Sequence, residues 1–343
     1  MSRPVNSQPL RRLPSGLPLL LALTLLLATF VPASAAPSES TRVWRAQVRF
    51  VTSSSNSDSG TDDDIQVSLN DTNRTWLDYG RDDFETGDTF TYDLLLTNLR
   101  TLTDIKYLAV QKTGTNGWCV ESVALLINGQ SIYYRSFKTS TTACHWIDAD
   151  DGHSPALTIS GMTLRTNSLW QAYTPPDRPT KITRTELERR VEAIVGNWIE
   201  GVDSTYKWGH LYGSRYVEGM PKDDRTVHFD LDLTRIYNNW PDGEFDVDFD
   251  ARFACSSGRL SVSILNVIGR EYTPYGLDIP GTFMPDLQEQ LLAGISAPLA
   301  ALNAMLGTLS APCPTVLIDG AGDLAVPQVP SAISIDPIAP IAP

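Results

Sequence analysis

The sequence predicts an all-β domain followed by an α+β domain, and three observations support this. Short alternating segments separated by turn residues fill residues 42–148. A helical apolar stripe, a β-meander and a second apolar helix then fill residues 181–314. The chain of 343 residues, 42% of them hydrophobic, is long enough to bury a core in each of two domains.

The first 35 residues predict a secretory signal peptide. Three arginines precede an apolar run from Leu17 to Val31, and Ala33-Ser34-Ala35 follows it. The run has about 15 residues, fewer than the roughly 20 that a membrane-spanning helix needs. We therefore expect cleavage after residues 1–35, a secreted or periplasmic protein, and no transmembrane segment in the mature chain. An uncleaved anchor is the alternative.

Residues 42–148 have the pattern of an antiparallel β-sandwich. Ile65–Leu69 alternates between apolar and polar residues, as does Phe90–Leu96. Asn128-Gly129 stands between two apolar segments, and this dipeptide favours a two-residue hairpin turn. Several short strands at such spacing are typical of a sandwich.

A linker is predicted at residues 149–180, where the pattern weakens and Pro175–Pro179 is rich in proline. A helix is expected to follow, because Thr183 and Glu186 have the spacing of a capping box. Apolar residues then recur at helical spacing as far as Trp198.

The rest of the second domain is predicted to be a three-stranded meander and a helix. Apolar residues alternate with polar ones, mostly aspartates, in segments 227–233, 245–253 and 260–264, which gives the sheet one apolar and one acidic face. The apolar stretch 285–309 predicts a helix that Pro298 breaks or kinks, and 315–343 is a proline-rich tail.

The four cysteines fit an exported protein, in which disulfides persist. Three pairings are possible. Their positions along the chain favour Cys119 with Cys144 and Cys255 with Cys313, one bridge in each domain. No C-x-x-C spacing is present, so a zinc site is not indicated.

The charge excludes some partners. Lysine and arginine total 27 against 40 aspartates and glutamates, a net charge of −13. Such a protein is not expected to bind nucleic acid, because phosphate neutralisation needs an excess of cations. Simple electrostatic adsorption to anionic lipid is excluded on the same ground.

One acidic run, Asp58–Asp64, could bind a divalent cation. Hard oxygen ligands and a flexible glycine suit Ca²⁺, although the spacing differs from that of an EF-hand loop. Taken alone, however, the run is better explained as a solvated acidic turn.

The N-terminal domain resembles the PLAT (lipoxygenase homology, LH2) family over residues 42–148. Val48–Thr52 and then Ser59–Leu69 are similar to the family's first strand and its G-T-D-x-x-V turn into the second strand. Phe84–Phe90, Gly117–Val123 and Cys144–Ile147 resemble later elements in the same order. The second domain shows no such resemblance.

The resemblance implies an eight-stranded sandwich that docks to lipid surfaces or to a partner protein, with Ca²⁺ in the edge loops. Gly60, Asp62 and Asp64 occupy the matching turn and are the first metal candidates. Asp58 and Asp88 are further candidates.

Aromatic and apolar residues close to the acidic loop are candidates for lipid contact. Trp76, Leu77 and Tyr79 lie in an otherwise polar loop and could insert into a membrane interface. The alternative is that they fold back onto the sandwich.

These observations predict a secreted, non-enzymatic binding protein. The sequence contains no G-x-S-x-G, H-E-x-x-H or P-loop motif. The alternative is a secreted hydrolase of lipid or glycan, with its site at His228 or among the paired aspartates of the meander. A third possibility is a structural protein of the cell envelope.

Overall fold

A computed structural model describes eight stretches of the chain and shows two halves packed together. The described residues are 37–55, 57–77, 84–149, 153–203, 210–236, 243–272, 284–306 and 311–329. The predicted signal peptide lies outside them. All the described residues belong to one compact unit.

Two stacked antiparallel sheets form the N-terminal half. One sheet has the order β4-β1-β6-β7, with β8 also paired to β6, and the other has the order β3-β2-β5-β9. The strands are β1 Ala46–Thr52, β2 Ile65–Ser68, β3 Arg74–Trp76, β4 Thr89–Leu94, β5 Tyr107–Lys112, β6 Trp118–Ile127, β7 Gln130–Ser136, β8 His145–Ile147 and β9 Ala156–Ser160. The described residues therefore contribute nine strands rather than the eight expected.

Local sequence explains these strands. In β1, Val48 and Phe50 point into the core while Arg49 is exposed, as a period of two requires. The hairpin between β6 and β7 turns at Asn128 and Gly129, whose φ values are 53° and 82°. Positive φ at both positions is the geometry of a type I′ turn, and the predicted hairpin is confirmed.

The predicted linker 149–180 is corrected by the structure. Within it, β9 pairs antiparallel with β5 and completes the second sandwich sheet, with Leu157 and Ile159 buried. Two short helices follow, α1 Gly161–Thr166 and α2 Ser168–Gln171. The sequence does not reveal this strand, because it has only five residues and its partner strand lies more than forty residues earlier.

The second half is a four-stranded antiparallel sheet with two long helices. The elements are β10 Lys181–Ile182, α3 Arg184–Asp203, β11 His210–Pro221, β12 Thr226–Ile236, β13 Gly243–Ser256, β14 Arg259–Tyr272, α4 Met284–Ala304 and β15 Leu324–Ala325. The sheet order is β11-β12-β13-β14. Among the described residues, no helix combines the length and the apolar character needed to cross a bilayer.

The meander has four strands, not three. Strand β11 was missed because Gly213 and Gly219 interrupt its alternation and its pairing with β12 shifts register twice. The apolar face of the sheet, including Phe229, Phe249 and Phe253, joins α3 and α4 in one core, as predicted. Pro298 lies inside α4, which runs through it as a single helix.

The predicted tail 315–343 is also corrected. Leu317, Ile318, Leu324 and Val326 are buried in the second core, and β15 pairs with β10. This C-terminal segment is therefore part of the fold as far as the described residues extend. Both predicted disulfides, Cys119–Cys144 and Cys255–Cys313, are confirmed, with Cα atoms 5.4 and 5.7 Å apart.

Charged side chains join the two halves. Arg45 on the sandwich makes two hydrogen bonds to Asp93, at 2.8 and 3.1 Å, and an ion pair with Glu186 at the start of α3. Arg190, also on α3, is buried, and its guanidinium lies 3.5 Å from the carbonyl oxygen of Trp44. We call Arg45, Asp93, Glu186 and Arg190 the inter-half network.

Candidate docking rim of the N-terminal sandwich

Three loops meet at one end of the sandwich, and we call them the rim: residues 53–64 (56 not described), 84–88 and 113–117. Thr86 Oγ1 donates to the Ser57 carbonyl at 3.0 Å, which joins the first two loops. Thr61 Oγ1 donates to the Asn116 carbonyl at 2.9 Å, which joins the first and third. These side-chain to backbone bonds hold the loops in one arrangement before any ligand arrives.

An aromatic cluster supports the rim from below. The Phe84 ring lies 4.9 Å from Trp118 and 5.2 Å from Tyr92, measured between ring centroids. Trp118 also packs edge-on against Phe50 and donates from its indole nitrogen to Thr52 Oγ1 at 3.0 Å. Phe84 is in the left-handed region, with φ of 64°, which turns its ring inward while its loop stays at the surface.

Gly60 is needed where the first two loops touch. A Cβ atom there would lie 3.1 Å from both the Phe84 carbonyl oxygen and the Thr86 amide nitrogen. Both contacts are with backbone, which cannot easily move aside. The glycine that the sequence singled out as a metal candidate therefore has a packing role in this structure.

The aspartates of the acidic run have different surroundings, some facing solvent and one bonded to a buried lysine. Asp62 is exposed, whereas Asp63 forms an ion pair with Lys112 and accepts a hydrogen bond from the Asn116 amide at 2.8 Å. The Lys112 side chain is completely buried. Lys112 was missed by sequence reasoning, although it shares the inward face of β5 with Leu108 and Val110, where a lysine is unusual.

The other metal candidates are held by separate turns. Asp64 accepts a hydrogen bond from Thr113 Oγ1 at 3.3 Å, Asp88 accepts one from the Glu85 amide at 3.2 Å, and Asp58 lies 3.3 Å from Ser57 Oγ. Across the described part of the chain, no three histidine, cysteine or acidic side chains are grouped so as to hold a metal ion.

The lipid-contact candidates have different surroundings. Leu77 is completely buried in the sandwich core, so its prediction as a lipid-inserting side chain is wrong in this conformation. Trp76 is half-buried, and its amide donates to Asn197 of α3 at 3.2 Å. Tyr79 lies outside the described residues.

The second half carries the predicted acidic sheet face, on the side of the sheet away from the helices. Asp230 is directly opposite Asp248, and Asp232 is opposite Asp246. Burial, followed by the charges of Asp248, Asp232 and Glu218, raises the pKa of Asp230 above its ordinary value. Burial and then Asp232 raise the pKa of Asp246 in the same way. Ionised carboxylates on this face repel one another.

Asp250, on the same face, is stabilised instead. It accepts hydrogen bonds from Asn266 at 2.7 Å and Lys222 at 2.8 Å, and it lies 3.0 Å from His228 Nδ1. Burial would raise the pKa of Asp250, but the hydrogen bonds from Lys222, Asn266 and His228 outweigh it and lower that pKa. His228 therefore lies in one cluster with Asp250, Lys222 and Asn266.

Comparison with known proteins agrees with the geometry of the N-terminal half. The PLAT/LH2 domain family matches residues 47–151. These residues form a PLAT/LH2 domain. Domains of this type interact with lipids, membranes or proteins. The rim loops lie within the matched residues. The match covers less than half of the chain and does not extend to the second half.

Solved structures with local similarity include two bacterial toxins. Alpha toxin from Clostridium absonum is 20% identical with a TM-score of 0.30, and alpha-toxin from an avian strain of Clostridium perfringens is 19% identical with a TM-score of 0.29. Each match covers 36% of this chain and 33% of the toxin. A LOX variant is 16% identical with a TM-score of 0.24, covering 54% of this chain and 22% of its own.

The chain thus spans about a third or less of each of these structures. No curated protein matches it.

Proposed function

We propose that this is a secreted or periplasmic, non-enzymatic binding protein whose PLAT/LH2 rim docks onto lipid surfaces. The observation that carries the proposal is the loop cluster at the end of a PLAT/LH2 domain, held together by hydrogen bonds and supported by an aromatic cluster. Ordered loops lose little conformational freedom on binding, which favours recognition of a surface. The two disulfides fit an oxidising compartment.

Trp76 is the side chain that we propose for interfacial contact. It is half-buried at the end of β3, and the next residue, Leu77, donates its amide to Ile65 at the start of β2. This pairing brings Trp76 close to the acidic loop that precedes Ile65. An amphipathic indole at such a position suits the boundary between headgroups and acyl chains.

Vesicle sedimentation of the chain from residue 36 tests this function. We expect the protein to pellet with phosphatidylcholine vesicles, and Trp76→Ala to reduce the bound fraction several-fold. Tyr134→Ala is the matched control, because Tyr134 is 52% exposed on β7. Absence of pelleting with any vesicle composition would overturn lipid docking and leave a protein partner as the remaining function.

Calcium assistance is a separate proposal, motivated by the acidic run and by the net charge of −13. Because the described carboxylates are not grouped, binding of Ca²⁺ requires Asp62 and Asp64 to turn toward a common point. We expect added Ca²⁺ to raise the melting temperature, and the double variant Asp62→Asn, Asp64→Asn to lose that rise. Asp177→Asn with Asp224→Asn makes the same change in charge elsewhere. An unchanged rise in the first variant would show that these ligands are wrong.

A further inference from the structure

A groove lies between the PLAT/LH2 domain and helix α4, away from the rim, and has a volume of about 660 Å³. One wall is the loop after β4, residues 95–100, and the other is the α4 face from Gln290 to Ala304. Ile194 of α3 contributes to the floor. The volume is within the roughly 300–1,000 Å³ typical of small-molecule sites.

The lining is apolar over most of its length. The loop contributes Leu95, with Leu96 and Leu99 buried in the sandwich core behind it, and the helix contributes a run of alanines and one glycine in place of larger side chains. These residues leave an elongated space that a flexible hydrocarbon chain can fill. Burial of the chain's methylene groups there would be favourable by about 0.8 kcal/mol for each group.

The loop wall is held in place before any ligand binds. Asn73 donates from its side-chain amide to the carbonyl oxygens of Leu95 and Thr97, the latter at 3.3 Å. The Leu95 amide donates to Thr75 Oγ1 at 3.0 Å, and Leu99 donates to Leu96 within the loop. A wall fixed in this way keeps the groove open without a ligand.

Two arginines, Arg42 and Arg100, are the charged residues of the lining. The Val43 amide donates to the Arg100 carbonyl at 2.9 Å, so the backbones that carry the two arginines are adjacent. Neither guanidinium has a hydrogen bond or ion pair with another described residue. In a chain with 40 acidic and 27 basic residues, an apolar groove whose charges are both positive is selective for an anion.

We propose that this groove binds a free, single-chain fatty acid, with its carboxylate at Arg42 and Arg100 and its acyl chain along α4. The guanidinium groups match a carboxylate in charge and geometry, and the leucine and alanine walls match the hydrocarbon. The proposal does not depend on docking of the rim, because the two sites share no residue.

Oleate binding, measured by titration calorimetry below the concentration at which oleate aggregates, is the test. We expect saturable binding with one oleate per chain. Arg42→Ala with Arg100→Ala should weaken it at least tenfold, while Arg259→Ala, which changes an exposed arginine elsewhere, should leave it unchanged. Binding of uncharged oleyl alcohol should be equal in all three proteins.

A second variant tests the acyl site. Ala300 is exposed on the groove face of α4, so Ala300→Phe fills the space without disturbing a core. We expect it to abolish binding of both oleate and oleyl alcohol with little change in melting temperature. Full oleate affinity in this variant, or no oleate binding by the parent protein, overturns the proposal.

Three further measurements distinguish fatty-acid binding in the groove from membrane docking and from occupancy by the chain itself. The Asp62→Asn, Asp64→Asn variant should bind oleate normally, and Ala300→Phe should sediment with vesicles as the parent does. Loss of vesicle binding in Ala300→Phe would mean that the groove serves membrane lipid rather than free fatty acid. Oleate binding only after truncation beyond Val329 would assign the groove to the chain's own C-terminal segment.

Discussion

Neighbouring aspartates on the outer face of the second sheet experience opposite environments. Asp230 is opposite another carboxylate, whereas Asp250 is surrounded by Lys222, Asn266 and His228. The same residue type therefore has a raised pKa at one position and a lowered pKa at the other. The direction of each pKa shift is set by the side chains around the carboxylate, and not by the alternation that places both aspartates on this face.

The first prediction concerns Asp230→Asn, which we expect to stabilise the protein at neutral pH. A raised carboxyl pKa means that the folded state holds the proton more tightly than the unfolded chain, so Asp230 favours folding at low pH and opposes it once ionised. Removing a like-charge cross-strand pair should increase the free energy of unfolding by about 0.2–1 kcal/mol. Urea unfolding should show this gain at neutral pH and its absence well below the ordinary pKa of 3.8.

The second prediction has the opposite sign: Asp250→Asn should destabilise the protein at neutral pH. Because the pKa of Asp250 is lowered, its stabilisation is present above the ordinary value and is lost as the pH falls through the lowered pKa. Loss of hydrogen bonds to a charged group should cost about 1.5–3 kcal/mol. Urea unfolding of the two variants side by side gives the comparison, and equal effects would contradict this account of the face.

At the scale of the secondary-structure elements, helix α4 has a glycine where it packs against Ile194 of α3. A Cβ atom at Gly294 would lie 2.4 Å from Ile194 Cδ1 and 2.5 Å from its Cγ1. Helix packing of this kind depends on a small residue facing a large one. Ile194 and Gly294 both line the groove, so this contact lies at its floor.

We predict that Gly294→Val lowers the free energy of unfolding by about 1–3 kcal/mol through overpacking. Ile194→Ala alone should cost about 2–5 kcal/mol, and the double variant should cost clearly less than the sum because the smaller residue makes room. Ala293→Val, at an exposed position on the same helix, controls for the lower helix propensity of valine. If the two changes in the free energy of unfolding simply add in the double variant, Gly294 and Ile194 do not compete for the same volume.

At the scale of the whole molecule, the inter-half network joins two cores that the sequence suggests are separate. Arg45 connects Asp93 of the sandwich with Glu186 of α3, and its side chain is only 16% exposed. Arg190 of α3 is buried in the same network. Burial lowers the pKa of Arg190, and the charges of Asp93 and Glu186 oppose that shift. Buried charges with fixed partners favour one relative placement of the halves over others.

We predict that Asp93→Asn destabilises the protein by about 3–5 kcal/mol, since it leaves the two arginines of the network with Glu186 as their one remaining carboxylate partner in it. Calorimetry should show one unfolding transition in the parent protein and two in the variant. Glu121→Gln, which breaks the exposed pair with Lys138, should cost no more than about 1 kcal/mol and leave one transition. A single, unshifted transition for Asp93→Asn would contradict coupling through this network.

Much of this architecture follows from local sequence, and the errors have a common cause. The Asn128-Gly129 hairpin and the alternation in β12 and β13 need only neighbouring residues to be recognised. Strand β9 and the buried C-terminal segment depend on pairing with distant segments, and β11 is interrupted by glycines.

The candidate site shows the same division. The sequence predicts an acidic loop directly before a strand, and the structure has this loop before β2, but the pairing of Asp63 with Lys112 spans 49 positions and has no local signal. The prediction for Leu77 is wrong because the sequence does not show how the end of β3 pairs with β2. In the structure the Leu77 amide donates to the Ile65 carbonyl, and the Leu77 side chain is directed into the core. Sequence therefore located the surface, and tertiary contacts decided which side chains it presents.

The short β10–β15 ribbon makes the second half begin and end at one point. Lys181 pairs with Ala325 and Ile182 with Leu324, and the Val326 amide donates to Thr180 just outside the ribbon. Tension applied between residues 180 and 326 would therefore break these hydrogen bonds one at a time, instead of loading all of them at once. If the protein is tethered at both ends, the β10–β15 pair is where mechanical load first separates the C-terminal segment from the rest of the second half.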